Sequence, residues 1–303
     1  MSIQCVHTPV IITGMARSGT TLLASLLGRM GLFLGKNVVE DLEARFFFTM
    51  NRTIVKQVHG DWDNPLPMRY LYQDPAAIAE TIQCMETDLR SWRISDFLGW
   101  AAFLRFRSLA RYDQPWGWKD PRSIFTLPLW LKIFPSAKIV YIVRNGIDVA
   151  SSLQIMERKT MAKRRARAHQ ALQLFTRRSA LERYGFKGAV RCLFLEGGFS
   201  LWEESMAMAE EVLAPLEGQK LVIRYEDFLA EPAQHLLKLR RFCGLDKQMD
   251  DRIDGLVATV NRERSYAFRT HDNLLDLYQK VRHSQWMKHY GYDTLIPPSD
   301  IRL

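Results

Sequence analysis

The sequence predicts an α/β fold, a parallel sheet flanked by helices with helical insertions, on three observations. Short apolar runs without polar alternation recur at 10–13, 138–143 and 220–224. Such runs suit strands covered on both faces, as in parallel sheets. Stretches with helical periodicity separate them, and strand–helix alternation favours a parallel arrangement. The first run also ends at Gly14, in a glycine-punctuated loop that leads straight into a helical pattern.

Taken in order, Val10-Ile-Ile-Thr13 is a buried strand, and 20–30 a helix with Leu22, Leu23, Leu26 and Leu27 on one face. A further helix is expected over 43–58. Asn64-Pro-Leu-Pro67 breaks the chain, and a long helical stretch is expected from Pro75 to position 111, with Trp92, Phe97, Trp100, Phe103 and Phe106 on its apolar face. Trp116-Gly-Trp-Lys119 is a short strand, 123–134 a helix, and Lys138-Ile-Val-Tyr-Ile-Val143 the clearest strand. Helices follow over 146–184 and 199–213, then a strand at 220–224 and helices at 232–243 and 273–290. No repeat, low-complexity tract or linker interrupts this, so a single domain over 1–303 is expected.

Composition narrows the class. The 303 residues suffice for a core without staples. The cysteines Cys5, Cys84, Cys192 and Cys243 are scattered, with no C-x-x-C pair, which argues against a zinc site and fits a reducing, cytoplasmic setting. Arg17 and Arg29 interrupt the apolar stretch 9–35, so neither a signal peptide nor a membrane span is expected there. The net charge of +9 is concentrated at 157–191, which holds eleven Lys/Arg against two Glu. A solvated basic helix and a positive rim for an anionic ligand both fit. Nucleic acid is disfavoured, because no aromatic interleaving accompanies the charge.

The loop Gly14-Met-Ala-Arg-Ser-Gly-Thr-Thr21 has the spacing of a phosphate cradle, whose backbone N–H groups and helix start bind anionic oxygens. A nucleoside triphosphate loop would place Lys and Ser/Thr after its second glycine, for the phosphates and for Mg²⁺. Here Thr20 and Thr21 stand there, and the cation is Arg17, inside the loop. The strand at 138–143 ends in Arg144 rather than in a metal-holding carboxylate. A metal-free, P-loop-type site follows. Transfer of a sulfuryl group, which carries less charge than a phosphoryl group, can rest on such cations and amides.

These residues resemble the sulfotransferase family that uses 3′-phosphoadenylyl sulfate (PAPS), especially its bacterial and tyrosylprotein branch. Arg17-Ser-Gly-Thr-Thr21 resembles the family's 5′-phosphosulfate loop, implying donor contacts from Arg17, Ser18, Gly19, Thr20 and Thr21. Ile142-Val-Arg-Asn-Gly-Ile-Asp-Val-Ala-Ser-Ser-Leu153 resembles its 3′-phosphate segment, implying Arg144 and Ser152. Ile223-Arg-Tyr-Glu-Asp-Phe-Leu-Ala-Glu-Pro232 resembles its Tyr-Glu-Asp segment, implying a nucleotide contact from Tyr225. Trp118-Lys-Asp-Pro-Arg122 and His289-Tyr-Gly-Tyr-Asp293 are lesser echoes. The resemblance implies PAPS as co-substrate, adenosine 3′,5′-bisphosphate (PAP) as product and no metal.

For chemistry, Arg17 is the leading electrostatic residue, and Lys119 matches a sulfate-contacting lysine of related enzymes; an exposed lysine is the alternative. Cytosolic members place a His base where Pro121 stands. The tyrosylprotein branch uses a Glu after the first helix, which implicates Glu43 and Glu40 ahead of Asp41, with Asp120 and His59 further candidates. Exposed carboxylates at a helix start are the plain alternative. The segment that closes over the 3′-phosphate in cytosolic members is absent, leaving Arg262, Arg264 and Arg269 to substitute. The family's dimer signature is missing too. The expected partners are a nucleotide donor and a small-molecule acceptor hydroxyl or amine. A carbohydrate acceptor, a P-loop kinase or NTPase, and a non-catalytic nucleotide-binding protein are the competing readings.

Overall fold

The computed structural model describes residues 2–171, 188–246 and 252–295. Strand β1 (Val10–Thr13) feeds helix α1 (Thr20–Arg29). An antiparallel pair, β2 (Val38–Val39) and β3 (Glu43–Ala44), precedes α2 (Arg45–Gln57). A helical region holds α3 (Met68–Leu71), α4 (Pro75–Arg90), α5 (Ser95–Leu98) and α6 (Trp100–Phe106). Next come β4 (Gly117–Lys119), α7 (Ser123–Ile133), β5 (Lys138–Val143) and α8 (Gly146–Ala171). The chain continues through α9 (Leu195–Leu213), β6 (Lys220–Arg224), α10 (Tyr225–Ala230) and α11 (Pro232–Cys243). Short helices α12 (Ile253–Val257), α13 (Asp272–Val281) and α14 (Gln285–His289) follow. Two compact units result: Met1–Arg144 with Glu204–Ser265, and Asn145–Glu203 with Tyr266–Leu303.

In the first unit four strands form a sheet in the order β4-β1-β5-β6, every neighbouring pair parallel. This is the α/β architecture expected from the apolar runs. Every residue of β1 is buried, so its sequence shows no alternation. One face carries Val10, Ile12, Val140 and Ile142 against Leu23 and Leu27 of α1 and Phe228 and Leu236 of α10 and α11. The other carries Trp118, registered with Ile11, whose indole stacks on Phe47 of α2 at 4.1 Å between centroids. Gly117 permits the pairing of β4, since a Cβ there would stand 2.0 Å from the Val10 carbonyl oxygen.

Helix α2 turns Phe47, Asn51 and Val55 inwards, one helical step of four apart. Asn51 is fully buried among aromatic rings, and both its polar atoms are used. Its Oδ1 accepts from Trp130 Nε1 and Thr126 Oγ1, each at 2.8 Å. Its Nδ2 donates to Asp120 Oδ2 at 2.9 Å and Ser123 Oγ at 3.1 Å.

Several element boundaries differ from the expectation. The helix expected over 43–58 begins at Arg45, because Glu43 pairs with Val39 as a strand. The stretch 75–111 is broken three times: at Ser91, whose hydroxyl caps the next turn, at Gly99, and at left-handed Arg107. Of its aromatic residues, Phe97 is in the core whereas Trp92 and Trp100 are exposed. Helix α9 starts at Leu195, earlier than expected, and the stretch 273–290 is two helices parted before Ser284, which caps the second. Helix α4 starts where sequence signals place it: Pro75 is its first residue and the Asp74 carboxylate accepts from the Ala76 and Ala77 amides.

In the second unit, Asn145 Oδ1 accepts from the Ile147 and Asp148 amides and so caps α8. Asp148 Oδ1 accepts from the Phe268 amide at 2.9 Å, and Phe268 stacks on Tyr278. Gly198 lets α9 approach α8, with the Ala150 Cα 3.1 Å from the position a Cβ would take. Part of the basic stretch 157–191, and the end of the helix expected over 146–184, lie outside the described residues. Among those residues no helix is long and apolar enough to cross a membrane.

Replacing Asn51 by Ala strands the Trp130 and Thr126 donors and one Asp120 oxygen in the core. A loss of about 3 kcal/mol in unfolding free energy by urea titration is expected; a loss below about 1 kcal/mol would mean that the Asn51 bonds contribute little.

Candidate active site

The loop between β1 and α1 is shaped by two left-handed residues, Arg17 (φ 73°) and Gly19 (φ 102°). The Arg17 side chain is exposed, while Ser18 behind it is fully buried. Gly19 cannot be another residue: a Cβ there would meet the Tyr225 ring at 2.6 Å. Thr20 is buried and Thr21 half-buried at the first turn of α1, whose opening amides have no partner within the helix. The buried Ser18 hydroxyl has no hydrogen-bond partner among the described residues. A loop with an exposed cation, such a hydroxyl and helix-start amides suits an anionic group.

Arg144, just after β5, reaches the same place. Its guanidinium lies 4.7 Å over the Tyr225 ring and donates to the Arg17 carbonyl at 3.4 Å and the Arg264 carbonyl at 3.1 Å. The first unit thus brings together Arg17, Arg144 and Tyr225, with the Arg262–Arg264 turn beside them. Ser152 stands on α8 in the second unit, and Arg269, also there, donates to the Leu295 carbonyl and stacks on Tyr266.

The second cluster is held under the sheet edge. Lys119, the last residue of β4, is buried rather than solvent-exposed, and its Nζ donates to Glu43 Oε1 at 3.2 Å. Arg122 Nη2 donates to Glu43 Oε2 at 3.0 Å. Asp120 anchors Arg122, accepting from its amide at 2.9 Å and its Nε at 3.0 Å. Asn51 holds the other Asp120 oxygen. Thr13, at the end of β1, donates to the Asp120 carbonyl at 3.1 Å, tying this cluster to the strand that enters the phosphate loop.

The three carboxylates of the segment after α1 differ in burial. Glu40 and Asp41 are exposed on a turn, while Glu43 is buried on β3. Burial pushes the Glu43 carboxyl up to about 7; neighbouring Asp120 adds to the rise, and Lys119 and Arg122 oppose it. The two cations do not overcome the loss of water. Arg122 and Asn51 were not among the residues singled out for the site. Arg122 sits in the noticed Trp-Lys-Asp-Pro-Arg stretch; Asn51 left only the faint signal of a polar residue within an apolar helix stripe.

The loop that follows β1 and the buried Glu43–Lys119 pair both belong to the unit built on the parallel α/β sheet. The chain belongs to the sulfotransferase family, whose model matches residues 9–251. Similar solved structures include the sulfotransferase domain from the curacin biosynthetic pathway, 18% identical over 86% of this chain and 81% of that one, with a TM-score of 0.45. The sulfotransferase domain of the Synechococcus PCC 7002 olefin synthase is 17% identical over 96% of each chain, with a TM-score of 0.45. A sulfotransferase from Alicyclobacillus acidocaldarius is 17% identical over 84% of this chain and 92% of that one, with a TM-score of 0.40. No curated protein matches the chain.

The raised Glu43 carboxyl has a consequence for folding. Between its ordinary 4.5 and about 7 the folded protein keeps a proton that the unfolded chain has lost, so Glu43 subtracts stability as pH rises through that window. In urea titrations from pH 4 to 8, the stability of wild type relative to Glu43→Gln is expected to fall with pH. A flat difference would show that folding leaves the proton affinity of Glu43 unchanged, and a rise that Lys119 and Arg122 outweigh burial.

Proposed function

We propose that this chain transfers a sulfuryl group from PAPS to the hydroxyl or amine of a small-molecule acceptor. The observation that carries the reading is the convergence of Arg17, Ser18, Arg144 and Tyr225 at a loop that lacks a triphosphate loop's lysine. The amides of Gly19 to Thr21, the Ser18 hydroxyl and the Arg17 side chain hold the 5′-phosphosulfate. Tyr225 packs beside the nucleotide, and Arg144 takes the 3′-phosphate, to which its guanidinium offers a planar fork; for Ser152 the sequence resemblance alone supports a donor contact. Bound PAPS supplies an activated sulfuryl group with PAP as its leaving group.

Glu43 takes the proton from the acceptor hydroxyl or amine as the new bond to sulfur forms and the bond to the phosphate oxygen breaks. A carboxyl raised to about 7 is a stronger base than an ordinary glutamate and is still ionised in large part near neutral pH. Lys119 turns from Glu43 to the sulfuryl oxygens and Arg17 faces the charge gathering on the leaving phosphate. Asp120 keeps Arg122 on the second Glu43 oxygen, so the carboxylate stays oriented when Lys119 leaves it. Glu40, being exposed, has no such environment. The free cysteines agree with a cytoplasmic setting. A single domain over 1–303 remains part of this reading.

Calorimetry without Mg²⁺ is expected to give at least tenfold tighter binding of PAP than of 5′-AMP, and Arg144→Ala should erase most of that difference. Equal affinities in the wild type would overturn the donor assignment. Glu43→Gln should lower kcat about 100-fold or more while PAP affinity stays within about threefold. The acid limb of kcat/KM should lie near pH 7 and move to lower pH in Asp120→Asn, because the Asp120 charge helps to raise Glu43. An unmoved limb would remove Glu43 from the role of base.

A further inference from the structure

A cavity of about 560 Å³ opens between α2 and α4 in the first unit, separate from the donor loop's own residues. Its size falls in the range of small-molecule sites. We propose that it seats the uncharged, apolar body of the sulfuryl acceptor, with the acceptor's hydroxyl or amine directed to Glu43. This inference rests on the sulfotransferase reading above.

Position is the first argument. The wall of the cavity begins at Arg45 and Phe46, the residues that follow Glu43 and Ala44 in the chain. Two peptide steps place the Glu43 Cα within about 7.6 Å of the Arg45 Cα. The strand that carries Glu43 therefore runs directly into the first turn of α2, which begins the cavity wall. Lining chemistry is the second. Phe46, Met50, Ile54 and Met85 make the wall apolar, and methionine side chains adapt to irregular shapes.

Charge is the third argument. The lining holds two arginines and two aspartates, and they are paired: Arg45 with Asp96, and Arg93 with Asp88 at 3.4 Å. The lining is thus neutral, unsuited to a polyanionic glycan. At the rim Trp92 stacks on Trp100, centroids 6.4 Å apart and planes 8° from parallel, although the two residues are 66% and 60% exposed. An exposed indole pair beside an apolar cavity is a platform for a flat or aliphatic ligand rather than a core contact.

The cavity carries its own handle for a test. Cys84 lines it and is exposed, whereas Cys192 and Cys243 are buried. In a Cys5→Ser background, Cys84 can be alkylated with N-benzylmaleimide; separately, Met50→Trp fills the cavity from α2. Full-length protein loaded with PAP is titrated calorimetrically with 2-naphthol, and in parallel with glucosamine. Naphthol is expected to bind the open protein. Its affinity should fall at least tenfold in both blocked forms, while PAP affinity changes less than twofold and reports that the fold is intact. No naphthol binding, undiminished binding after Cys84 is alkylated, or glucosamine binding that the alkylation abolishes, would each overturn the proposal. Loss of the preference for PAP over 5′-AMP in the open protein is a different failure, read in a different titration, and would strike the donor reading itself.

Discussion

The contact of Glu43 with its two cations, Lys119 at 3.2 Å and Arg122 at 3.0 Å, is formed almost wholly out of water. Removing three charges from solvent is costly, and apolar residues of similar volume would often serve stability as well or better. What such a cluster supplies is a carboxylate in one place, with its proton affinity set by surroundings. Burial raises that affinity and the cations restrain it, leaving a group that changes charge near neutral pH.

The rest of the first unit holds that contact in position. Asp120 grips Arg122 through two bonds and is itself gripped by Asn51 from α2 and, at its carbonyl, by Thr13 from β1. Because Thr13 immediately precedes the loop that enters α1, that loop and the carboxylate cluster share one strand as their frame. The sheet makes that frame stiff: it is packed on both faces, and β4 lies against β1 only because Gly117 has no side chain. A displacement of the strand would therefore move both parts of the site together.

How much of this could be read beforehand depends on the range of the interaction. The phosphate loop was legible because its parts are consecutive: strand, glycine spacing, internal arginine, helix start. Arg144 and Tyr225 were legible because each ends a clear strand, and parallel strands deliver such ends to one side of a sheet. One apolar pattern over 75–111 spans what the structure divides into three helices and two 3-10 turns. Ser91, Gly99 and Arg107 break it by local backbone geometry that periodicity does not register. Trp92 and Trp100, which a single helix would place on its apolar face with Phe97, stand exposed.

The sequence by itself determined the parallel α/β class and the strand–loop–helix setting of Arg17, with no lysine after the second glycine, because these depend on residues adjacent in the chain. Tertiary structure alone distinguished the surroundings of Glu40, Asp41 and Glu43, leaving the first two exposed and burying the third against Lys119 and Arg122. The difference between them is solvent: Glu43 lies under the sheet edge, 76 positions before the lysine it meets. Desolvation and long-range pairing set the proton affinity of a carboxylate, and neither has a local signature in sequence.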